Sequence, residues 1–221
     1  LKITTAAQLA AMPPALARKQ FSIEVERTVR ELNGQVCKVW DQARADKKQI
    51  FSTRSLGERI TDYSLLLQAL SKHVAIAAAK ARQQGSMCKA MLIFAINSPY
   101  DERPVSRKVV IHFALPTNST IELNQAMTAA AAQLYLQGIR YYKVGVGLIE
   151  LTRADYQQLD LFARTRHQPA LMQALDGINQ RYGRDTLFLA SQGVEQKWAM
   201  RREMLTPQYT TQWRCVPHIR C

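Results

Sequence analysis

Basic and hydroxyl-bearing side chains gather at several points in the middle of this 221-residue sequence. They are Lys47, Lys48, Arg54, Ser55 and Arg59; then Ser106, Arg107 and Lys108; then Arg140, Tyr141 and Lys143, followed by Gly145 and Gly147. Cations and hydroxyls mixed in this way suit phosphate oxygens, and glycines on a strand let another backbone come close. The whole chain agrees, with 30 Lys and Arg against 17 Asp and Glu, a net charge of +13. A surplus of that size favours polyanions, nucleic acid foremost, through the sequence-independent phosphate term. No base-reading signature accompanies the cations, so specific sequence recognition is not expected.

Catalytic chemistry has no comparable set. A metal-dependent nucleotidyl transferase needs carboxylates converging on divalent ions, yet Glu24, Glu26, Asp101 and Glu102 fall on expected helix surfaces or in a turn. His73, His112, His167 and His218 have no Ser or Cys partner in a sensible pattern and read as structural or surface residues. Cys215, His218 and Cys221 offer three ligands where structural zinc wants four. No catalytic residue, metal ligand or cofactor is therefore expected in this chain. With no CxxC pair, Cys37, Cys88, Cys215 and Cys221 read as the reduced thiols of a cytoplasmic protein. Neither a signal peptide nor an apolar run of about 18 residues occurs, which argues against a membrane partner.

One short motif stands apart. Gln158-Leu159-Asp160-Leu161-Phe162 lies in a polar, irregular stretch, residues 152–168. Leucine and phenylalanine exposed on such a segment are costly unless a partner's pocket receives them.

The elements that would position these groups follow from periodicity. Residues 1–10 read as a loop entering a short helix stopped by Pro13 and Pro14, and Ala15–Asn33 as a second helix ended by Gly34. Lys48–Ser55 reads as a strand. A helix over 62–84 follows, capped by Asp62, with Leu66, Leu70, Val74, Ala77 and Ala81 on its apolar face. Met87–Ile96 and Val105–Leu115 read as an antiparallel pair. Ser119 and Glu122 have the spacing of a capping box that starts a helix running to about Gln137. Tyr141–Leu151 alternates, with Tyr142, Val144, Val146 and Leu148 on the core face and the two glycines on the open one.

The order strand, helix, strand, strand, helix, strand predicts an α+β chain with a ferredoxin-like βαββαβ domain, both helices on one face of the sheet. An RNA-binding module of that topology would carry stacking aromatics on its central strands, which RKVVIHF at 107–113 does not supply. The expected divisions are a partial helical domain at 1–40, the βαββαβ domain at 41–151, a linker at 152–168 and a C-terminal extension at 169–221. In the extension a short helix at Leu171–Ile178, a strand at Leu187–Ala190 and a basic helix at Val194–Met204 are expected.

The stretches SIEVERTVRELNGQVC, STRSLGERITDY, LDGINQRYGRDTLFLASQG and KWAMRREMLTPQYTTQW, together with QLDLF, resemble the C-terminal part of Y-family translesion DNA polymerases of the UmuC, MucB and ImpB type. The likeness runs from near Leu1 to about Trp213; RCVPHIRC at the end departs from it. It implies that residues 1–34 are the remainder of a thumb, with ITTAAQLA as the second half of a helix-hairpin-helix, and that 41–151 are the little finger, laid on primer-template DNA. It further implies that Gln158–Phe162 binds the bacterial sliding clamp, and that the whole protein works in the SOS response with the processed UmuD dimer (UmuD') and RecA. The family's palm and fingers, with their Mg2+-binding carboxylates, are not represented, so polymerase activity is not expected of this chain alone. The chain starts at Leu1 without an initiator methionine and reads as the continuation of a longer protein. The alternative is a stand-alone ferredoxin-like nucleic-acid-binding or regulatory module.

Overall fold

The computed structural model describes residues 3–39, 45–155, 169–196, 198–200 and 204–217. The chain forms two compact units, Leu1–Asp46 and Lys47–Cys221.

The first unit holds three helices, α1 (Ala6–Ala10), α2 (Pro14–Gln20) and α3 (Ile23–Leu32). Thr5 caps α1 in a complete capping box with Gln8. The single helix expected over 15–33 is broken at Phe21 and Ser22. The Ser22 hydroxyl accepts from the Val25 amide and starts a new helix, while Phe21 leaves helical geometry. Gly34 ends α3 with φ of 82°, as expected. A small core of Met12, Ala17 and Val29 forms where the helices meet.

The second unit is α+β, with the expected element order. Strand β1 (Ile50–Ile60) leads to helix α4 (Tyr63–Gln83), strands β2 (Ser86–Ile96) and β3 (Ser106–Thr117), helix α5 (Thr120–Ala130) and strand β4 (Tyr141–Arg153). The sheet order is β1-β4-β2-β3, antiparallel throughout, with β4 inserted between β1 and β2. Helix α4 begins where Asp62 accepts from the Ser64 and Leu65 amides, and its predicted stripe, Leu66, Leu70, Val74, Ala77 and Ala81, is fully buried. Against it lie Met91, Ile93, Val144, Val146 and Leu148.

Three details depart from expectation. Strand β1 continues past Ser55 to Ile60 through an irregularity in its pairing with β4. Opposite that irregularity Tyr141 turns into the core and Tyr142 is exposed, so Tyr142 does not share the face of Val144, Val146 and Leu148. Helix α5 stops at Ala130 in a 3-10 turn (Ala131–Gln133) instead of reaching Gln137. There the buried Tyr141 hydroxyl donates to the Leu134 carbonyl and accepts from the Leu136 amide, groups that a longer helix would have paired internally. Ser119 caps α5 as expected, but the Glu122 carboxylate accepts from the Thr117 hydroxyl and does not complete a box.

The C-terminal residues pack onto the helical layer of this same unit. Helix α6 (Pro169–Tyr182) is anchored by Asp176, which receives a bidentate pair from Arg82 of α4 at 2.6 and 2.7 Å. Lys72 pairs with Asp185, the Ser71 and Ser191 hydroxyls meet at 2.8 Å, and Trp198 enters the core. The strand expected at Leu187–Ala190 does not form. The Asn179 amide group takes both main-chain groups of Leu187, leaving none for a strand partner. The described residues of 194–200 are turns and bends, not the expected basic helix.

Candidate nucleic-acid interface

The register of the four strands decides which side chains share a face, because neighbours along a strand point to opposite sides. On the face away from α4 and α5, one row across the sheet reads Ser55, Lys143, Ile96, Ser106. The next reads Thr53, Gly145, Phe94, Lys108, and the third Phe51, Gly147, Leu92, Val110. This face therefore carries an apolar centre bounded by two lysines and two serines at one end. Phe51 and Val110 are each 44% exposed, and Lys108 and Ser106 are exposed.

Several residues expected on this face lie elsewhere. Arg54 and Arg107 occupy the helix side, in the row Arg54, Val144, Ala95, Arg107. Arg107 donates to the Gln133 carbonyl at the end of the α5 segment, at 2.8 Å. Tyr141 is completely buried, and burial pushes its phenol pKa up. The room expected over the glycines is filled by the chain's own side chains. A Cβ on Gly145 would come within 2.6 Å of Phe94 Cζ and 2.5 Å of Thr53 Cγ2, and one on Gly147 would collide with the Phe51 ring. The glycines make room for aromatic rings, not for a ligand backbone.

The remaining cations flank the sheet. Lys47 and Lys48 are exposed before β1, where the Gln84 amide holds the Lys47 main chain through two hydrogen bonds. Arg59 is bound to Asp101 of the β2–β3 loop at 2.6 Å, a contact that holds the Asp101 carboxyl below its usual range. Asn97 braces that loop by accepting from the Val105 amide and donating to the Arg103 carbonyl. Arg140 is exposed ahead of β4. Of the candidates, Ser55, Ser106, Lys108 and Lys143 are brought together on the open face, with Gly145 beneath Phe94. Aromatic rings on the open face were not singled out from sequence, although Phe51 and Phe94 pair directly with the glycines that were.

Gln158, Leu159, Asp160, Leu161 and Phe162 lie outside the described residues, as do His218 and Cys221. Among the described residues no three His, Cys, Asp or Glu side chains converge. No described helix is long and apolar enough to cross a membrane.

Residues 47–161 match the impB/mucB/samB family C-terminal domain, and residues 169–219 match a domain of unknown function, DUF4113. The chain is 38% identical over 97% of its length to Protein SamB of Salmonella typhimurium and 38% identical over 98% to Protein ImpB of the same species. To Protein UmuC of Salmonella typhimurium strain LT2 it is 35% identical over 96%. In each case it covers 52% of the relative, so it spans about half the length of the curated proteins it matches. With this relationship running along nearly the whole sequence, the chain belongs to the impB/mucB/samB family and contains its C-terminal domain.

Proposed function

We propose that this chain is the DNA-binding C-terminal part of an error-prone translesion DNA polymerase. The observation that carries the reading is the open sheet face, where Lys108 and Lys143 stand with Ser55 and Ser106 in a chain of net charge +13. The two ammonium groups would neutralise backbone phosphates and the two hydroxyls would bond phosphate oxygens, without reading bases. Primer-template or single-stranded DNA fits such a surface equally. The nucleotidyl transfer and its Mg2+ would belong to residues outside this chain.

Affinity for a short primer-template is then expected to fall steeply with salt. Replacing both Lys108 and Lys143 by alanine should reduce the slope of log K against log[salt] by about 1 to 2. Salt-independent binding, or an unchanged slope, would refute the open-face reading.

The same proposal assigns Gln158 to Phe162 to the sliding clamp, with Leu161 and Phe162 as the buried anchors. Alanine at each should cost about 2 kcal/mol or more of clamp affinity. A calorimetric titration in which the double variant binds as tightly as the parent refutes it. UmuD' and RecA are proposed as partners of the complete protein, working in the cytoplasm. Reading the gene upstream of Leu1 separates this proposal from a stand-alone module, since only the former requires an in-frame palm with paired carboxylates.

A further inference from the structure

At the β1 edge of the sheet lies a crevice of about 310 Å3. Its walls are Phe51, Ser52, Thr53 and Arg54 along the strand and His73, Ile76 and Lys80 of α4. Among the described residues every charged group lining it is cationic. Arg54 and Lys80 are exposed, and neither has an ion-pair partner among the described residues, whereas nearby Lys72 is committed to Asp185. His73 is 98% buried; its Nδ1 lies 2.9 Å from Ser52 Oγ, and its Nε2 has no hydrogen-bond partner. Buried polar atoms are rarely left in this state, and the ring that carries this one stands between the two cationic side chains of the crevice wall.

We propose that this crevice is an anion site that takes a phosphate group between the Arg54 guanidinium and the Lys80 ammonium. Two cations lining one concavity, with no ion-pair partner among the described residues, favour a counter-anion between them. A guanidinium presents a planar fork that matches two phosphate oxygens, and the ammonium supplies a point charge from the opposite wall. Arg54 lies on the other side of the β1 pleat from Ser55, so its guanidinium is not part of the open-face set. Its phosphate could come from a nucleic-acid backbone or from free phosphate; the chemistry of capture is common to both.

The test follows the His73 ring by NMR in the full chain, labelled with 15N-histidine, at pH 7 and constant ionic strength. Inorganic phosphate is expected to move the His73 signals saturably, with sodium chloride as the control. The exposed-site double variant Arg54→Ala/Lys80→Ala, verified as folded by circular dichroism, should bind at least tenfold more weakly. A response that is linear, equal to that of chloride, or unchanged in the double variant overturns the proposal. A second arm replaces phosphate with a short DNA duplex. Saturable movement lost in Arg54→Ala/Lys80→Ala but kept in Lys108→Ala/Lys143→Ala identifies a backbone phosphate as the ligand. Movement with phosphate and none with DNA identifies free phosphate. If DNA affinity fails to depend on Lys108 and Lys143 while His73 still responds, the open-face reading falls and this site stands.

Discussion

Acidification should weaken the Lys47–Cys221 unit in a pH window set by one buried imidazole. The ordinary pKa of the His73 ring is 6.5, and in the fold it is pushed down to about 4, first by burial and then by the Arg54, Lys72 and Lys80 charges. Well above pH 6.5 the ring is neutral in both states and costs nothing. As the pH falls from 6.5 towards 4, the unfolded chain takes up a proton that the folded chain refuses, so stability present at neutral pH is progressively lost. Between pH 7 and pH 4.5 the loss comes to about 2 kcal/mol for a single group shifted by this much. The low-lying carboxyls Asp62 and Asp101 do not confuse this window, because their contributions fade only below their ordinary value of 3.8. Urea unfolding followed by tryptophan fluorescence at the two pH values measures the loss. His73→Gln, which keeps a neutral amide beside Ser52, should be less stable at pH 7 but lose about 2 kcal/mol less than the parent on acidification. Equal losses in parent and variant would refute the reasoning, as would a His73 ring that titrates near 6.5 in the folded protein.

The Arg82–Asp176 pair should hold α6 to the helical layer. Arg82 is only 10% exposed, so Asp176→Ala leaves its guanidinium without a counter-charge, held only by the Asn118 carbonyl and the Thr120 hydroxyl, and is expected to cost about 2 to 3 kcal/mol, read by urea unfolding, with faster hydrogen exchange in α6. Gly147→Ala places a methyl where the Phe51 ring sits; a cost of about 1 to 2 kcal/mol is expected, and Phe51→Ala in the same chain should recover part of it. Burial pushes the Cys88 thiol up to about 12, so an alkylating reagent at pH 8 should label the partly exposed Cys37 and Cys215 and leave Cys88 unmodified until the protein unfolds.

Elements with a strong local signal were legible from the sequence. The stripe Leu66 to Ala81 and the Asp62 cap define α4 without reference to anything distant. The break between α2 and α3 was hidden because Phe21, Val25, Val29 and Leu32 keep helical spacing straight across it; Ser22, three residues before Val25, was the available clue. The early end of α5 depends on a tyrosine hydroxyl from a later strand, which no local pattern reports. In the candidate interface, strand alternation alone could have separated Arg54 from Ser55 and Arg107 from Lys108, since adjacent residues cannot share a face. The burial of His73 and its meeting with Ser52 across 21 positions required the fold itself.

The rings seated over Gly145 and Gly147 bear on how readily the open face could meet a partner. Phe51 and Phe94 occupy hollows that glycine provides, so the centre of the face is paved with stiff groups that have few rotamers left to lose. The long, many-rotamer side chains are the lysines at one end of it. A partner settling there would immobilise little at the middle and could leave the ammonium groups mobile at the margin, keeping the entropic penalty of association small. Such a surface is suited to repeated release and re-engagement along a polymer, where no single register should be favoured over the next.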